Sequence, residues 1–270
     1  MKKVLQISSY YPPHVGGVEQ VAADIAEALK GSYAQAVFAF NHEKGDKREN
    51  LDGVEVFRCG CQARISSQAL ALGYGRKLKR FLSEFKPDII HFHFPNPFAA
   101  HYLLQCKTKA KIIVHYHSDI VKQKILRRFF VGQTKRLLEK ADLIIATSPQ
   151  YIEKSPFLSR YREKCALVPN CLNERRLAMN EDDRKAAAEI REQFADKTIG
   201  LFVGRHVPYK GLEYLIEAAA YLRPEIVLLI AGDGVLTKRL KKQAKGKENV
   251  EFIGVLRGNL KAYLDACDIF

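Results

Sequence analysis

Short apolar runs alternate with amphipathic segments along most of the chain. The runs before residue 170 are 4–9, 34–40, 54–58, 88–92, 111–115, 143–146 and 166–168, and each has the length of a buried strand. Apolar residues recur at helical spacing in the segments between them, which are 18–30, 69–85, 97–106, 120–140 and 149–155. Segment 41–52 is polar and charged, which predicts an exposed loop. The alternation predicts an α/β fold with a parallel sheet covered on both faces.

A polar segment separates this alternation from a second one. The pattern breaks at Pro169 and Asn170, and residues 173–184 are polar and rich in charge. We therefore predict two domains, 1–172 and 173–270. The second domain has predicted helices at 185–194, 211–222, 235–245 and 258–266 and predicted strands at 198–203, 226–231 and 250–253.

The composition is that of a globular protein. Hydrophobic residues make up 47% of the 270 positions and charged residues 27%. No apolar run approaches the roughly 20 residues that cross a bilayer, and the apolar run at the start is too short for a signal peptide. The six cysteines form no CxxC pair, which favours free thiols in a reducing compartment. These features predict a cytoplasmic protein.

Positive charge is concentrated in two predicted helices. The formal net charge is +14, and lysine and arginine outnumber acidic residues in 76–86 and in 119–140. A basic helix with aromatic residues, such as Phe129 and Phe130 here, can lie on an anionic membrane surface. The same pattern is also typical of a solvated helix face. No nucleic-acid-binding module is recognisable, so nucleic acid is not an expected partner.

The stretch LFVGRHVPYKG (201–211) places two cations on a loop between a predicted strand and a predicted helix. The guanidinium of Arg205 offers a planar fork for phosphate oxygens, and the ammonium of Lys210 offers a point charge. This loop suits a phosphorylated ligand, although a solvated basic turn has the same composition. Two glycine motifs also follow predicted strands, Gly16-Gly17 and Gly232-Asp233-Gly234. Each suits either a phosphate contact or an ordinary tight turn.

Four histidines lie near the ends of two predicted strands, at 91, 93, 115 and 117. Residues two apart on a strand share a face, so these side chains could form a metal site. No carboxylate or cysteine is placed to complete such a site, and we favour one histidine lining a pocket while the others pack. His117 is the preferred pocket residue. Asp119 is assigned either to the pocket or to the cap of the next helix.

These motifs together resemble those of the retaining glycosyltransferases of family 4, which have the two-domain GT-B architecture. They are PPHVGGVE (12–19), PDIIHFH (87–93), VHYHSD (114–119), ADLIIATS (141–148), VPN (168–170), VGRHVPYKG (203–211) and AGDG (231–234). Their common order over nearly the whole chain makes the match specific. The stretch YHSDIVKQ is most similar to bacterial mannosyltransferases and related enzymes that build O-antigen, capsule or exopolysaccharide.

The resemblance implies a GDP- or UDP-sugar donor, with a GDP-mannose-like donor favoured, held in a cleft between two Rossmann-like domains. In the family, the residues that match Arg205 and Lys210 bind the donor diphosphate. The glycines that match Gly16 and Gly17 approach that phosphate through their backbone, and the histidine that matches His117 lies near the transferred sugar. The resemblance therefore assigns catalysis to His117, Arg205 and Lys210.

The resemblance also places the acceptor, a saccharide or a lipid-linked sugar, on the N-terminal domain. The candidate acceptor-side residues are Tyr10, Glu19, His93 and Asp119. A lipid-linked acceptor suits the basic helices and predicts a peripheral location on the inner face of the cell membrane. Breaking the sugar–phosphate bond leaves negative charge on the nucleoside diphosphate, which cationic side chains and backbone amides can stabilise. No metal or other cofactor is expected.

The sequence departs from the family in the second domain. The family has an E-x7-E motif whose glutamates contact the donor sugar and the ribose, and the sequence ends at Phe270 before that motif. Glu248 and Glu251 do not fit it, and residues 266–270 have the pattern of a strand that is only beginning. We therefore expect the second domain to be incomplete, in a fragment or a truncated product. We expect the 270-residue chain alone to be weakly active or inactive.

Two other functions are compatible with the sequence. The first is a non-catalytic domain that binds a nucleotide or a partner in polysaccharide assembly. The second is a sugar-nucleotide epimerase of the same architecture, which would release a free monosaccharide epimer with no acceptor present. An in-frame EGFG-like segment after Phe270 in the source gene would favour the transferase, whereas a natural stop there would favour the non-catalytic domain.

Overall fold

The computed structural model describes residues 1–14, 16–65, 68–119, 127–171 and 173–270. The chain divides into two units, 1–172 (unit 1) and 173–270 (unit 2). Each unit is built on a sheet of mostly parallel strands with helices packed against it, which confirms the predicted α/β class.

Parallel pairing dominates the main sheet of unit 1. The strands of this unit are β1 (Lys3–Ile7), β2 (Ala34–Phe40), β3 (Lys47–Leu51), β4 (Val54–Cys59), β5 (Ala63–Ile65), β6 (Gln68–Leu70), β7 (Ile89–Phe94), β8 (Lys111–Tyr116), β9 (Leu143–Ala146) and β10 (Cys165–Leu167). Within the described residues, eight of them form one sheet in the order β10-β9-β8-β7-β1-β2-β4-β3. Only β3 runs antiparallel to its neighbour there, and β5 and β6 form a separate antiparallel pair.

Helices cover both faces of this sheet. They are α1 (Gly17–Ala28), α2 (Tyr74–Phe85), α3 (Pro97–Gln105), α4 (Arg127–Lys140) and α5 (Pro149–Lys154). On β2, Val37 packs in the apolar cluster that contains Ala22 and Ala26 of α1. The next residue, Phe38, points to the opposite face and packs in the cluster that contains residues of α2, α3 and α4. Because both faces are covered, the central strands are apolar and buried along nearly their whole length.

Two predictions in unit 1 are wrong at the level of elements. Part of the polar segment 41–52 is the edge strand β3, which is mostly exposed and therefore lacks an apolar face. The predicted helix 69–85 begins only at Tyr74, after Gly73 with a φ of 72°. Residues 68–70 instead form β6, which pairs with β5. Of the predicted helix 120–140, residues 127–140 are helical and 120–126 lie outside the described residues.

A smaller parallel sheet forms the centre of unit 2. Its strands are β11 (Thr198–Val203), β12 (Ile226–Ala231) and β13 (Val250–Gly254), in that order. Its helices are α6 (Glu174–Leu177), α7 (Glu181–Gln193), α8 (Leu212–Ala218), α9 (Thr237–Gln243) and α10 (Leu260–Ala266). The helix α7 begins four residues before the predicted start because Asn180 and Asp183 form a capping box. The helices α8 and α9 are shorter than predicted.

The last residues of unit 2 lie along the free edge of β11. Ile269 forms an isolated parallel bridge with Gly200, in the position where the sequence predicts a strand to begin. Arg191 of α7 donates to both carboxylate oxygens of Asp268, at 2.9 and 2.7 Å. The Oδ2 atom of Asp268 also accepts a hydrogen bond from the backbone N of Ile199 at 2.7 Å. These contacts hold the segment against the sheet.

None of the described helices combines the length and the apolar character that crossing a membrane requires.

Candidate functional site

The loop after β11 exposes two cations at one end of the sheet. Arg205 lies two residues beyond Val203, the last residue of β11, and Lys210 ends a short 3-10 turn. Both side chains are exposed, and a Cβ atom built on Gly204 would lie 3.8 Å from Cε of Lys210, so the lysine folds back towards the start of the loop. Arg205 donates to the hydroxyl of Tyr209 at 3.3 Å. No acidic side chain among the described residues forms an ion pair with either cation, which leaves both charges available to an anion.

The turn Gly232-Asp233-Gly234 packs directly against the backbone of this cationic loop. The backbone amide of Gly204 donates to the carbonyl oxygen of Ala231 at 3.1 Å. The backbone amide of His206 donates to the carbonyl oxygen of Asp233 at 3.0 Å. A Cβ on Gly232, where φ is 121°, would overlap the carbonyl of Gly204, and a Cβ on Gly234 would lie 2.5 Å from the carbonyl oxygen of His206. Both glycines are therefore required for backbone packing, whatever else they contact.

The buried side chain of His206 links the two loops through side-chain hydrogen bonds. Nδ1 of His206 lies 2.8 Å from Oγ1 of Thr237, and that hydroxyl donates to Oδ1 of Asp233 at 2.6 Å. The same carboxylate oxygen accepts from the amide of Gly234 at 2.8 Å. The hydrogen bond from Thr237 lowers the pKa of Asp233, and burial lowers the pKa of His206, so its imidazole is held neutral. The loop that carries Arg205 is thus held in place before any ligand arrives.

Sequence inspection missed His206 and Thr237. His206 lies between the two cations Arg205 and Lys210, which drew attention first. Thr237 is the first residue of α9, a position where threonine is common. A signal was present in the spacing, since Thr237 follows Asp233 by four residues, and its hydroxyl can reach the carboxylate across the turn that precedes α9.

In unit 1, the two glycines before α1 have different surroundings. Gly16 has extended backbone angles, φ −174° and ψ 155°, and precedes the first residue of the helix. A Cβ on Gly16 would overlap the carboxylate of Glu19. Glu19 is buried and folded back over this position, rather than projecting into solvent as an acceptor ligand. Nothing in the described structure lies within 4 Å of the place a Cβ on Gly17 would occupy, so the backbone there is open to a ligand.

The four predicted histidines form a two-by-two array at the carboxyl ends of β7 and β8. Across the strands, Nε2 of His91 lies 3.3 Å from Nδ1 of His115, and Nδ1 of His93 lies 3.0 Å from Nε2 of His117. Each of these pairs has nearly parallel rings with centroids more than 5 Å apart, so the rings meet edge to edge. Along each strand the rings stack instead, at 4.8 Å for 91 and 93 and 4.2 Å for 115 and 117.

Burial makes the array neutral. His91, His93 and His115 are buried, and only His117 is partly exposed. Desolvation lowers the pKa of His91 to about 3, that of His115 to about 4 and that of His117 to about 3, and it also holds the pKa of His93 well below its ordinary value. At neutral pH each ring therefore has one N–H donor and one lone-pair acceptor.

The geometry of the array does not favour a metal ion. Ring nitrogens of His91, His93 and His115 do lie within 4.8 Å of one another. However, ring nitrogens of this group already meet polar partners within the unit: Nε2 of His91 meets His115, and the two nitrogens of His93 meet His117 and Gln6. A metal ion would have to displace these contacts.

The remaining acceptor-side candidates are held by neighbouring side chains. Tyr10 is nearly buried and stacks on His42, with ring centroids 4.5 Å apart. Oδ1 of Asp119 accepts from the hydroxyls of Tyr116 at 2.6 Å and Ser155 at 2.8 Å. Any cap that Asp119 makes on the helix predicted from residue 120 lies outside the described residues. The structure thus gives Asp119 an anchoring contact between β8 and the end of α5.

Two family descriptions match this chain. Residues 16–171 match the glycosyl transferase 4-like domain, and residues 183–270 match glycosyl transferases group 1. The O-antigen chain mannosyltransferase C of Escherichia coli is 32% identical over 266 residues, which cover 97% of this chain and 70% of that protein. The D-rhamnosyltransferase WbpZ of Pseudomonas aeruginosa is 29% identical over 255 residues, with coverage of 91% and 64%. This chain therefore spans about two thirds of the length of these relatives.

Solved structures show the same fold at lower sequence identity. The HepE protein of Anabaena in complex with UDP and glucose aligns with 99% of this chain and 73% of its own, with a TM-score of 0.71 and 20% identity. Sucrose-phosphate synthase from Thermosynechococcus elongatus aligns with a TM-score of 0.74 and 21% identity, covering 99% of this chain and 74% of its own. At these identities the likeness concerns the fold.

Proposed function

The chain belongs to the family 4 glycosyltransferases of GT-B fold, and we propose that it transfers a sugar from a nucleotide-sugar to a saccharide or lipid-linked acceptor in cell-surface polysaccharide synthesis. The favoured donor is a GDP-mannose-like nucleotide, because one similar protein is named a mannosyltransferase and another a GDP-mannose-dependent mannosyltransferase. Transfer is proposed to retain the anomeric configuration, as the motif resemblance implies. The anomeric configuration of the product, read by NMR, tests this assignment.

One observation carries this proposal. Two exposed cations, which pair with no acidic side chain in the described parts of the chain, follow β11 on a loop that a buried histidine and two glycines hold in place. Cleavage of the bond between the sugar and the diphosphate leaves negative charge on the nucleoside diphosphate. A preorganised arginine and lysine stabilise that charge without reorganising during the reaction. We assign Arg205 and Lys210 to the diphosphate, and Gly17, with its open backbone, to a phosphate contact.

His117 is assigned to the transferred sugar. It is the partly exposed member of an otherwise buried array, and its ring is neutral at physiological pH. A neutral imidazole can form one hydrogen bond to a sugar hydroxyl while its other nitrogen remains bonded to His93. We propose that the reaction needs no divalent ion, since the two cations supply the charge that a metal would otherwise provide.

The test is a calorimetric titration with GDP, UDP, GDP-mannose and UDP-glucose in EDTA. A hydrogen bond to a charged group contributes about 1.5–3 kcal/mol, so Arg205→Ala/Lys210→Ala is expected to weaken binding at least about 100-fold. The matched control is Arg184→Ala/Lys185→Ala, which removes the same charge from the exposed face of α7. Equal affinity in the parent and the Arg205→Ala/Lys210→Ala variant would refute the diphosphate assignment. Binding that needs added Mg²⁺ would refute metal independence.

A second surface of unit 1 supports a location at the membrane. A cavity of about 300 Å³ lies beside the end of α2 and the loop before β8. Its polar rim consists mainly of lysines, and its floor is apolar; the lining residues are Lys79, Leu82, Ser83, Lys86, Pro87, Cys106, Lys107, Thr108, Lys109 and Ala110. We call this surface the lysine groove. We propose that it receives the phosphate of an anionic lipid headgroup on the inner face of the membrane.

The predicted basic segment 76–86 contributes unevenly to this surface. Lys77 is paired with Asp46 and Arg80 with Glu84, each at 2.7 Å. Lys79 and Lys86 form no ion pair among the described residues and line the lysine groove. In the other predicted segment, 119–140, Lys140 does not line the groove, but its ammonium donates to the carbonyl of Cys106, a lining residue, at 3.5 Å.

A further inference from the structure

We propose that Gln6 and His93 are positioning residues that set the tautomer of His117, so that Nδ1 of His117 accepts a hydrogen bond from a hydroxyl of the transferred sugar. The inference rests on the proposed function in one respect, the contact of His117 with that sugar. The tautomer itself follows from contacts within unit 1.

Three neighbouring strands bring the three side chains together. Gln6 is on β1, His93 is on β7 and His117 directly follows β8, and these strands are adjacent in the sheet. Oε1 of Gln6 lies 2.9 Å from Nε2 of His93, and Nδ1 of His93 lies 3.0 Å from Nε2 of His117. Gln6 and His93 are completely buried. The line of contacts therefore leads from the interior of the sheet to its partly exposed end.

The direction of each hydrogen bond follows from the first contact. In the structure the amide oxygen of Gln6 faces Nε2 of His93, and the amide nitrogen of Gln6 is buried without a hydrogen-bond partner among the described residues. An amide oxygen only accepts, so in this orientation Nε2 of His93 carries the proton. Because His93 is neutral, its Nδ1 is then a lone-pair acceptor and Nε2 of His117 must donate to it. His117 is also neutral, which leaves a lone pair on its Nδ1. The free nitrogen of His117 consequently accepts a hydrogen bond and does not donate one.

The hydrogen bonds from Gln6 through His93 to His117 form a relay. Stacking keeps the two rings in the plane that this relay requires. His91 stacks on His93 with an interplanar angle of 9°, and His115 stacks on His117 with an angle of 19°. Rotating either relay histidine out of its plane would break a hydrogen bond and a stacking contact together. A sugar hydroxyl that meets this fixed acceptor must donate its proton, so the relay sets the direction of the hydrogen bond between His117 and the sugar.

The decisive measurement is the tautomer of each histidine, read from long-range ¹H–¹⁵N NMR correlations. In the parent protein we expect His93 and His117 to carry their protons on Nε2. Gln6→Met keeps the side-chain length but removes the strong acceptor, so both tautomers should then be populated. The matched control is Gln35→Met, since Gln35 is also buried, on β2 of the same sheet, and donates to the carbonyl of Ala26 at 2.7 Å. The control should leave both tautomers unchanged.

Ligand titrations connect the tautomer to the sugar. GDP-mannose or UDP-glucose should shift the Nδ1 signal of His117, whereas GDP or UDP, which lack the sugar, should leave it unchanged. In Gln6→Met we expect kcat/KM to fall about fivefold while the affinity for the free nucleoside diphosphate is kept, since one net hydrogen bond is worth about 1 kcal/mol.

Several outcomes would overturn the inference. If the proton of His117 lies on Nδ1 in the parent protein, the hydrogen bonds run in the opposite direction and the inference is wrong. Equal tautomers in Gln6→Met and the parent would show that Gln6 does not set them. If the tautomers are as expected but neither nucleotide-sugar moves the His117 signal, the assignment of the sugar contact is wrong. If the tautomers are as expected and both nucleotide-sugars shift the signal, the relay and the sugar contact stand, and the anomeric product of a transfer assay tests the proposed activity separately.

Discussion

Individual glycines in the two loops that we propose to contact a phosphate have different structural roles. Gly232 and Gly234 face the backbone of residues 204–206, where a methyl group has no room. Gly17 faces open space, so its lack of a side chain matters only if something outside the chain approaches it. The same residue type is thus a packing requirement in one loop and a candidate ligand contact in the other.

This difference predicts opposite effects of adding a methyl group. Gly234→Ala should lower the free energy of unfolding by about 1–3 kcal/mol, because the new Cβ would lie against the carbonyl of His206. It should also weaken nucleoside diphosphate binding through displacement of the Arg205 loop. Gly17→Ala should keep the parent stability within about 0.5 kcal/mol, yet reduce binding by blocking the ligand.

Thermal unfolding followed by a GDP titration of both variants checks these expectations. Parent stability in Gly234→Ala would contradict the packing argument. Parent affinity in Gly17→Ala would remove that glycine from the phosphate site.

In unit 1, the histidine array and the lysine groove lie at opposite ends of the same two strands. The histidine array lies at the carboxyl ends of β7 and β8, and the groove lies beside the residues that precede the same strands. Acidic residues near the groove are engaged elsewhere: Asp88 accepts from the amide of Lys3, and Glu84 pairs with Arg80. The groove therefore keeps a net positive surface that is independent of the histidines.

The groove predicts selective binding to anionic vesicles. Lys79→Ala/Lys109→Ala should weaken binding to phosphatidylglycerol vesicles about thirtyfold, since each lysine near an anionic surface contributes about 1 kcal/mol. Binding to phosphatidylcholine vesicles should be weak in all variants. Co-sedimentation measures both, with Arg184→Ala/Lys185→Ala as the charge-matched control. Equal losses in the two double variants would indicate a general charge effect, and competition by inorganic phosphate alone would indicate a soluble anion.

The whole chain should become less stable in mild acid because of the histidine array. The folded protein holds His91, His115 and His117 neutral, with pKa values lowered to about 3, 4 and 3 by burial. The unfolded chain binds protons to them below the ordinary pKa of about 6.5. The stability that these neutral histidines contribute is therefore fully present above pH 6.5, and it is lost as the pH falls towards 4.

Unfolding midpoints measured between pH 7.5 and 5 test this dependence, above the range in which the paired carboxylates titrate. Each buried histidine contributes up to about 1.4 kcal/mol per pH unit. His115→Gln should reduce the slope relative to the parent. A midpoint that does not change between pH 7 and 5 would contradict a buried neutral array.

Local pattern was sufficient for much of the fold. The strands β1, β2, β7 and β8 were predictable because burial on both faces makes them continuous apolar runs. The edge strand β3 was not, since KRENL lies on an exposed edge and has no apolar face to report. The start of α2 was misplaced for a related reason, because residues 68–70 gain their strand partner from β5 and not from their own composition.

Part of the candidate site could likewise be predicted from the sequence, and part depends on the tertiary structure. The sequence by itself indicated that the four histidines stand at strand ends and that Arg205, Lys210 and Gly17 stand between a strand and the following helix, since residue type and position relative to an element are local properties. Only the tertiary structure decided that Gln6 meets His93, 87 residues away, and that the Gly232–Gly234 turn closes on the backbone of the Arg205 loop. Such contacts depend on the order of the strands in the sheet, and that order is fixed by packing over the whole unit, which no local pattern of residues encodes.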